Sequence, residues 1–111
     1  MSIAVLLTWF ACHYLADFPL QGDYLASMKA KSWEHLVYHC ATYTGVFVLF
    51  AHASPWAALA LFAPHMVIDA LKARYGVIKW LWFDQALHLL TIVAILFAAS
   101  HLAQVNSVLP R

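Results

Sequence analysis

Four apolar runs dominate the chain, and nearly all of its charge is confined to the breaks between them. The runs cover residues 2–18, 35–53, 56–71 and 80–103. Crossing the hydrocarbon core of a bilayer takes about 20 residues of helix, with a usual range of about 17–25. The first and third runs sit near the lower limit, the second is adequate, and the fourth is long enough to tilt. Lipid offers no hydrogen bonds, so each run must satisfy its backbone internally, as a helix. Composition agrees, with 65% hydrophobic and only 10% charged residues. A soluble domain carries roughly 25% charged residues, because its surface must be hydrated. The sequence therefore predicts an all-α membrane protein, a single domain over residues 1–111. Its architecture is expected to be a four-transmembrane-helix bundle built from two helical hairpins.

The breaks set the orientation. Pro19 ends the first run, since proline lacks an N–H and clashes with the preceding turn. Residues 21–34 (QGDYLASMKAKSWE) are of mixed polarity and suit a short helix lying in the interface. Ser54 and Pro55 make an uncharged turn, whereas residues 72–79 carry Lys72, Arg74 and Lys79 around Gly76. With Lys29 and Lys31, five basic residues lie in or beside the first and third loops, against Arg111 alone at the far end. Basic residues collect on the cytoplasmic side, so those loops are expected inside and both termini outside. Trp33, Trp56, Trp80 and Trp82 fall at run ends, as an aromatic belt requires. No Lys or Arg precedes the first run and no small-residue cleavage pattern follows it, so it is expected to remain in the protein. The net charge of +1 argues against a nucleic-acid partner, which needs a basic patch.

Each run also carries one pair of ionisable residues spaced i, i+4. They are His13 and Asp17 (HYLAD), His35 and His39 (HLVYH), His65 and Asp69 (HMVID), and Asp84 and His88 (DQALH). This spacing puts both side chains on one helix face, about 5–6 Å apart at Cβ, close enough to grip one ion. The two histidines of the HExxH zinc helix follow the same logic. The first and third helices run inward and carry their pairs in their last turns. The second and fourth run outward and carry theirs in their first turns. All eight side chains therefore fall in one layer at the cytoplasmic end. An intramembrane Asp costs about 2.5–3.5 kcal/mol at a helix centre, though less near an interface. Three Asp and five His in one layer would be expensive unless something bound them together. The order H-x-x-x-D, basic loop, H-x-x-x-H, then H-x-x-x-D, basic loop, D-x-x-x-H suggests an internal repeat about a pseudo-two-fold axis along the membrane normal.

Imidazole with carboxylate suits a transition metal such as Zn, Fe or Mn. Eight candidates exceed the four ligands of a tetrahedral zinc site, so one or two ions are expected, with the remaining residues as orienting partners. Gln21 and Gln85 are placed to hydrogen-bond the ligands. Lys72 stands three residues after Asp69, at ion-pair spacing, and with Arg74 offers an alternative site for a phosphate. His52 and His101 lie toward the outer face and are read as interfacial. Cys12 and Cys40 neighbour His13 and His39, but adjacent helix positions diverge by about 100°, so both are read as packing residues rather than a disulfide.

At HYLADFPLQ, the His35–His39 pair, HMVIDALK and DQALH, the chain resembles a family of small phage and bacterial membrane proteins known only as a domain of unknown function. The resemblance spans nearly the whole chain. It implies phage or prophage origin but no activity; with the charge bias of the loops, the expected location is a bacterial inner membrane with both termini periplasmic. In residue types alone the chain is also similar to the membrane-bound metal-dependent hydrolases of bacteria.

These readings converge on a metal-dependent hydrolase at the cytoplasmic leaflet, acting on a lipid or phosphate-bearing substrate. A bound ion would lower the pKa of water toward about 7. The general base is expected among Asp17, Asp69 and Asp84, with Lys72 and Arg74 on the anionic group. The contrasting expectation is a non-enzymatic phage or prophage membrane protein, either a metal or proton transporter or an exclusion factor binding a host membrane protein. Residues 3–11 and 45–51 contain nothing ionisable, which counts against transport by a monomer though not by a homo-oligomer. A reporter fused after Arg111 is expected to be active only in the periplasm. Cytoplasmic activity would overturn the topology and move the polar layer to the outer leaflet.

Overall fold

The computed structural model describes residues 2–105, with side chains described through His101. Arg111, the basic residue on which the outward C-terminus was weighed, lies outside the described residues. The described chain is all helical apart from its connections. Five helices follow in order: α1 (Ile3–Asp17), α2 (Gly22–Met28), α3 (Trp33–Ala51), α4 (Pro55–Ala73) and α5 (Leu81–Val105).

Local chemistry explains the boundaries. Ser2 caps α1 by accepting from the Val5 N–H, and the helix stops at Asp17, two residues before Pro19. The polar stretch that follows folds as α2, turned 79° from the direction of α1. Gly22 opens it at φ +74, a left-handed backbone that glycine adopts without steric cost. Pro55, expected within a tight turn, instead opens α4 at its first position. Its missing N–H costs nothing there, and Ser54 caps the helix by accepting from the Ala57 N–H. The chain reversal falls one step earlier, on His52, whose left-handed backbone (φ 54) ends α3. Pro64 stands inside α4 beside His65 and removes one backbone hydrogen bond just where the polar layer begins.

The four longer helices close a ring in the order α1, α3, α4, α5, and α2 lies against α3. The interior is divided along its length. Trp9, Phe47, Leu61, Ile92 and Leu96 fill one half of the core. His13, Asp17, His39, His65, Asp69, Asp84 and His88 fill the other and are all buried. The exterior is apolar, with Leu49 72%, Leu59 71% and Phe97 69% exposed. Burying polar groups while exposing large apolar ones inverts the arrangement of a soluble domain and fits a lipid-facing surface.

Among the described residues two helices, α4 and α5 over Leu81–His101, are long and apolar enough to cross a membrane. The bent pair α1 and α2 meets the same test jointly, which gives up to three. The sequence expectation of four spans is thus met only in part. At 15 residues α1 reaches about 22 Å by itself, short of a hydrocarbon core about 30 Å thick. α3 has sufficient length, 19 residues, but Glu34, His35 and His39 make its first half polar.

Packing and exposure predict opposite responses to truncation. Phe47 is fully buried and packs on Trp9 with ring centroids 5.2 Å apart. Lipid is as apolar as the core, so Phe47→Ala loses mainly packing, about 2 kcal/mol. Leu49→Ala, on the exterior, should change stability by less than about 0.5 kcal/mol. Unfolding by SDS in mixed micelles, followed by circular dichroism, separates the two; equal losses would contradict this core.

Candidate metal centre

The i, i+4 pairs reach the centre of the ring because α1 and α4 end there and α3 and α5 begin there. Asp17 comes from α1, His39 from α3, His65 and Asp69 from α4, and Asp84 and His88 from α5. These six buried residues make three overlapping groups able to hold an ion. They are Asp17, His39 and His65; His65, Asp69 and His88; and Asp17, Asp84 and His88.

The first group has the tightest geometry. His39 Nε2 lies 3.0 Å from His65 Nε2, and Asp17 Oδ1 lies 3.2 Å from the former and 3.6 Å from the latter. A point about 1.9 Å from all three atoms falls inside that triangle, against Zn–N distances of about 2.0–2.1 Å. Asp17 Oδ1 has no hydrogen-bond partner despite these close neighbours, and neither do Asp84 Oδ1 and His88 Nε2, which lie 3.2 Å apart. Buried acceptors left unpaired are costly. A cation shared among them would remove that cost, so the donor set and its spacing fit a transition metal.

A hydrogen-bond relay orders the carboxylates from behind. The amide of Gln85 donates to Asp17 Oδ2 at 3.2 Å and to Asp84 Oδ2 at 3.0 Å. Its carbonyl is 2.6 Å from His13 Nε2, and His13 Nδ1 is 2.7 Å from the Tyr43 hydroxyl. Only one proton assignment satisfies every member. Tyr43 donates to His13 Nδ1, His13 Nε2–H donates to Gln85, and Gln85 donates to both carboxylates. Tyr43 also stacks on His65 with ring centroids 3.8 Å apart, which limits rotation of that imidazole.

Several sequence-predicted residues take other places. His13 has both ring nitrogens committed to the relay and stands outside the three groups. His35 is half-buried and meets the Tyr24 hydroxyl at 3.2 Å, away from the centre. Gln21 donates to the Asp17 backbone carbonyl rather than to a carboxylate. Lys72, expected beside Asp69, instead reaches Asp84 at 3.2 Å. The reason is that Asp69 is already taken. Lys29, from the end of α2, reaches it at 2.9 Å and is itself buried. Arg74 lies over the Trp33 ring, 4.2 Å from its centroid, and its Nε has no partner. Cys12 and Cys40 are free, buried thiols.

Tyr43 and Lys29 escaped the sequence reading. Tyr43 extends the His35, His39 stripe by another four residues, and that period was the available signal. Nothing in local spacing ties Lys29 to a carboxylate 40 residues away.

Fold and site together define a membrane-associated, largely helical protein with buried His/Asp clusters capable of coordinating a metal ion. Residues 5–110 match the family described as "Protein of unknown function (DUF3307)", and the chain belongs to that family. No curated protein and no solved structure matches it.

Gln85→Leu would strip partners from His13, Asp17 and Asp84 at once. The expected cost is about 2–4 kcal/mol of stability, since buried polar groups would be left unsatisfied. Thermal unfolding in detergent measures it; an unchanged midpoint would show that the relay orders nothing.

Proposed function

We propose that this chain is an integral membrane metal-binding protein acting as a metal-dependent hydrolase on a lipid or phosphate-bearing substrate at the cytoplasmic leaflet. In this reading all four longer helices span the bilayer, α1 being extended at the interface by α2. The observation that carries the reading is the triangle of Asp17 Oδ1, His39 Nε2 and His65 Nε2, closed to ligand spacing in the buried polar half of the helix ring. Asp17, His39 and His65 would hold the ion. When bound, it would supply Lewis acidity, polarising a substrate oxygen and acidifying water.

The remaining groups divide the other tasks. Asp84 and His88, 3.2 Å apart, form a pair not needed by the triangle and suited to accept a proton. Lys72 has a side chain 33% exposed, so it joins Asp84 to the surface and is the cation placed to meet a phosphate. An apolar cavity of about 260 Å³ opens nearby on α4, lined by Trp33, Met66, Val67, Ala70, Leu71 and Tyr75. It suits a hydrocarbon chain, and Arg74, resting on Trp33, supplies a second cation beside it.

Transport is less well supported. A conducted ion needs polar groups across the whole bilayer, and beyond the centre the ring is packed with Trp9, Phe47, Leu61 and Ile92.

Elemental analysis of detergent-purified protein is expected to find transition metal. Asp17→Ala and His65→Ala should each remove most of it, because each deletes one of the three proposed ligands, while His35→Ala should retain it. Metal-free protein that is folded would overturn the reading. Hydrolysis is tested separately in lipid nanodiscs by phosphate release from phospholipid and isoprenoid-phosphate substrates. Metal-loaded protein without activity on either would leave a binding protein and refute the hydrolase.

A further inference from the structure

Two of the three buried carboxylates already hold an ammonium group. Lys29 Nζ is 2.9 Å from Asp69 Oδ2, and Lys72 Nζ is 3.2 Å from Asp84 Oδ2. Asp17 has no lysine; it receives the neutral Gln85 amide on Oδ2 and turns Oδ1 toward His39 and His65. Of the three groups able to hold an ion among the described residues, only Asp17, His39 and His65 therefore contains no carboxylate neutralised by a lysine.

We infer that Lys29 and Lys72 restrict this site to a single divalent ion, and that Lys29 is the residue that closes the Asp69 position to a second. This rests on the metal-binding reading above and adds to it the stoichiometry and its cause. The two lysines differ in permanence. Lys29 has a side chain 11% exposed against a partner at 2%, whereas the Lys72 side chain is 33% exposed. Lys29 is sealed in, and Lys72 stands at the edge where it can exchange Asp84 for an arriving anion.

Charge explains the restriction. Three carboxylates against two ammonium groups leave one negative charge in the layer, and it falls on Asp17. One divalent ion there turns that deficit into a surplus of a single positive charge, which one anionic ligand balances. A second ion on Asp69 would lie within about 5 Å of the Lys29 ammonium, given bonds of about 2 Å to its ligands. Repulsion at that range, in a buried site with little solvent screening, is severe. Lys29 thus acts as a fixed internal cation in the position a second metal would otherwise occupy. It is a specificity-determining residue, not a catalytic one.

The test is a metal count on intact protein in detergent, titrated with Zn²⁺ or Co²⁺ alone and read as ions per chain at saturation. Wild type is expected to saturate at one. Lys29→Met, which frees Asp69, is expected to move toward two. Lys29→Met combined with Asp69→Asn removes both charges together and is expected to stay at one, because Asp69 is not a ligand. Two ions on the wild type would overturn the inference. So would loss of the ion from the double variant, or a Lys29→Met protein that still holds only one. Should Lys29→Met not fold, Lys29→Gln, which removes the charge but keeps a polar group beside Asp69, takes its place, and a count that stays at one overturns the inference. A wild-type count of zero refutes the metal-binding reading instead, so the two failures are distinct.

Discussion

The structure turns on burying carboxylates in a place with almost no water. Asp17, Asp69 and Asp84 are 6%, 1% and 1% exposed, inside a ring whose outer surface is itself apolar. Such charges are tolerated only when paired, hydrogen-bonded or bound to metal. Each of the three meets this demand differently. Asp69 has a sealed ammonium and the His39 imidazole, Asp84 has a part-exposed ammonium, the Gln85 amide and His88, and Asp17 has the Gln85 amide and two imidazoles without an ammonium. The helix directions follow from that demand. Four antiparallel helices must present their polar turns at the same end, because no single helix supplies enough partners for even one carboxylate.

The sequence suggests a repeat, and the ring places α1 opposite α4 and α3 opposite α5, as a two-fold arrangement would. Equivalent residues nevertheless do different work. His65 faces the centre, while its counterpart His13 is drawn into the Tyr43–Gln85 relay. Asp84 lies in the centre, while His35 turns to Tyr24. The asymmetry has a local cause. Tyr43 and Gln85 stand next to His13 and engage both of its nitrogens, whereas Tyr43 meets His65 through its ring face and leaves Nε2 free.

Much of this was legible in the residues, and the limits are physical. The i, i+4 pairs on apolar helices announced a shared polar layer because helical periodicity is a local property. Five of the paired histidines and aspartates on α3, α4 and α5 do meet at the centre, with Asp17 from α1. Spacing could not say which of two equivalent histidines would be engaged from outside its own helix, as His13 is. It also placed Lys72 beside Asp69 on the strength of three residues of separation, when a lysine 40 residues upstream had the shorter path. Long-range partners of flexible side chains depend on how the helices pack, and helix phase alone does not contain that. The second run was read as an adequate span on its length, but the polar first half of α3 keeps that helix from being apolar enough.

A division of the ring into a polar and an apolar half has a consequence for access. The titratable groups of the centre stand at the end of the ring where α1 and α4 stop and α3 and α5 begin. The apolar half, packed by Trp9, Phe47 and Leu61, offers no hydrogen-bonding route. Of the residues at that end, Lys29 is buried and Lys72 is partly exposed, so the Asp84 side is the side on which solvent and solutes meet the layer. Asp84, which Lys72 holds, and its neighbour His88 carry the orphaned Oδ1 and Nε2, and both share with Asp17 one of the groups capable of holding an ion. An anion drawn to Lys72 would release Asp84 from its ion pair as it arrived. The carboxylate freed in this way is the one already within 3.2 Å of His88, so under the proposed function a single lysine would link binding of an anion to availability of a base.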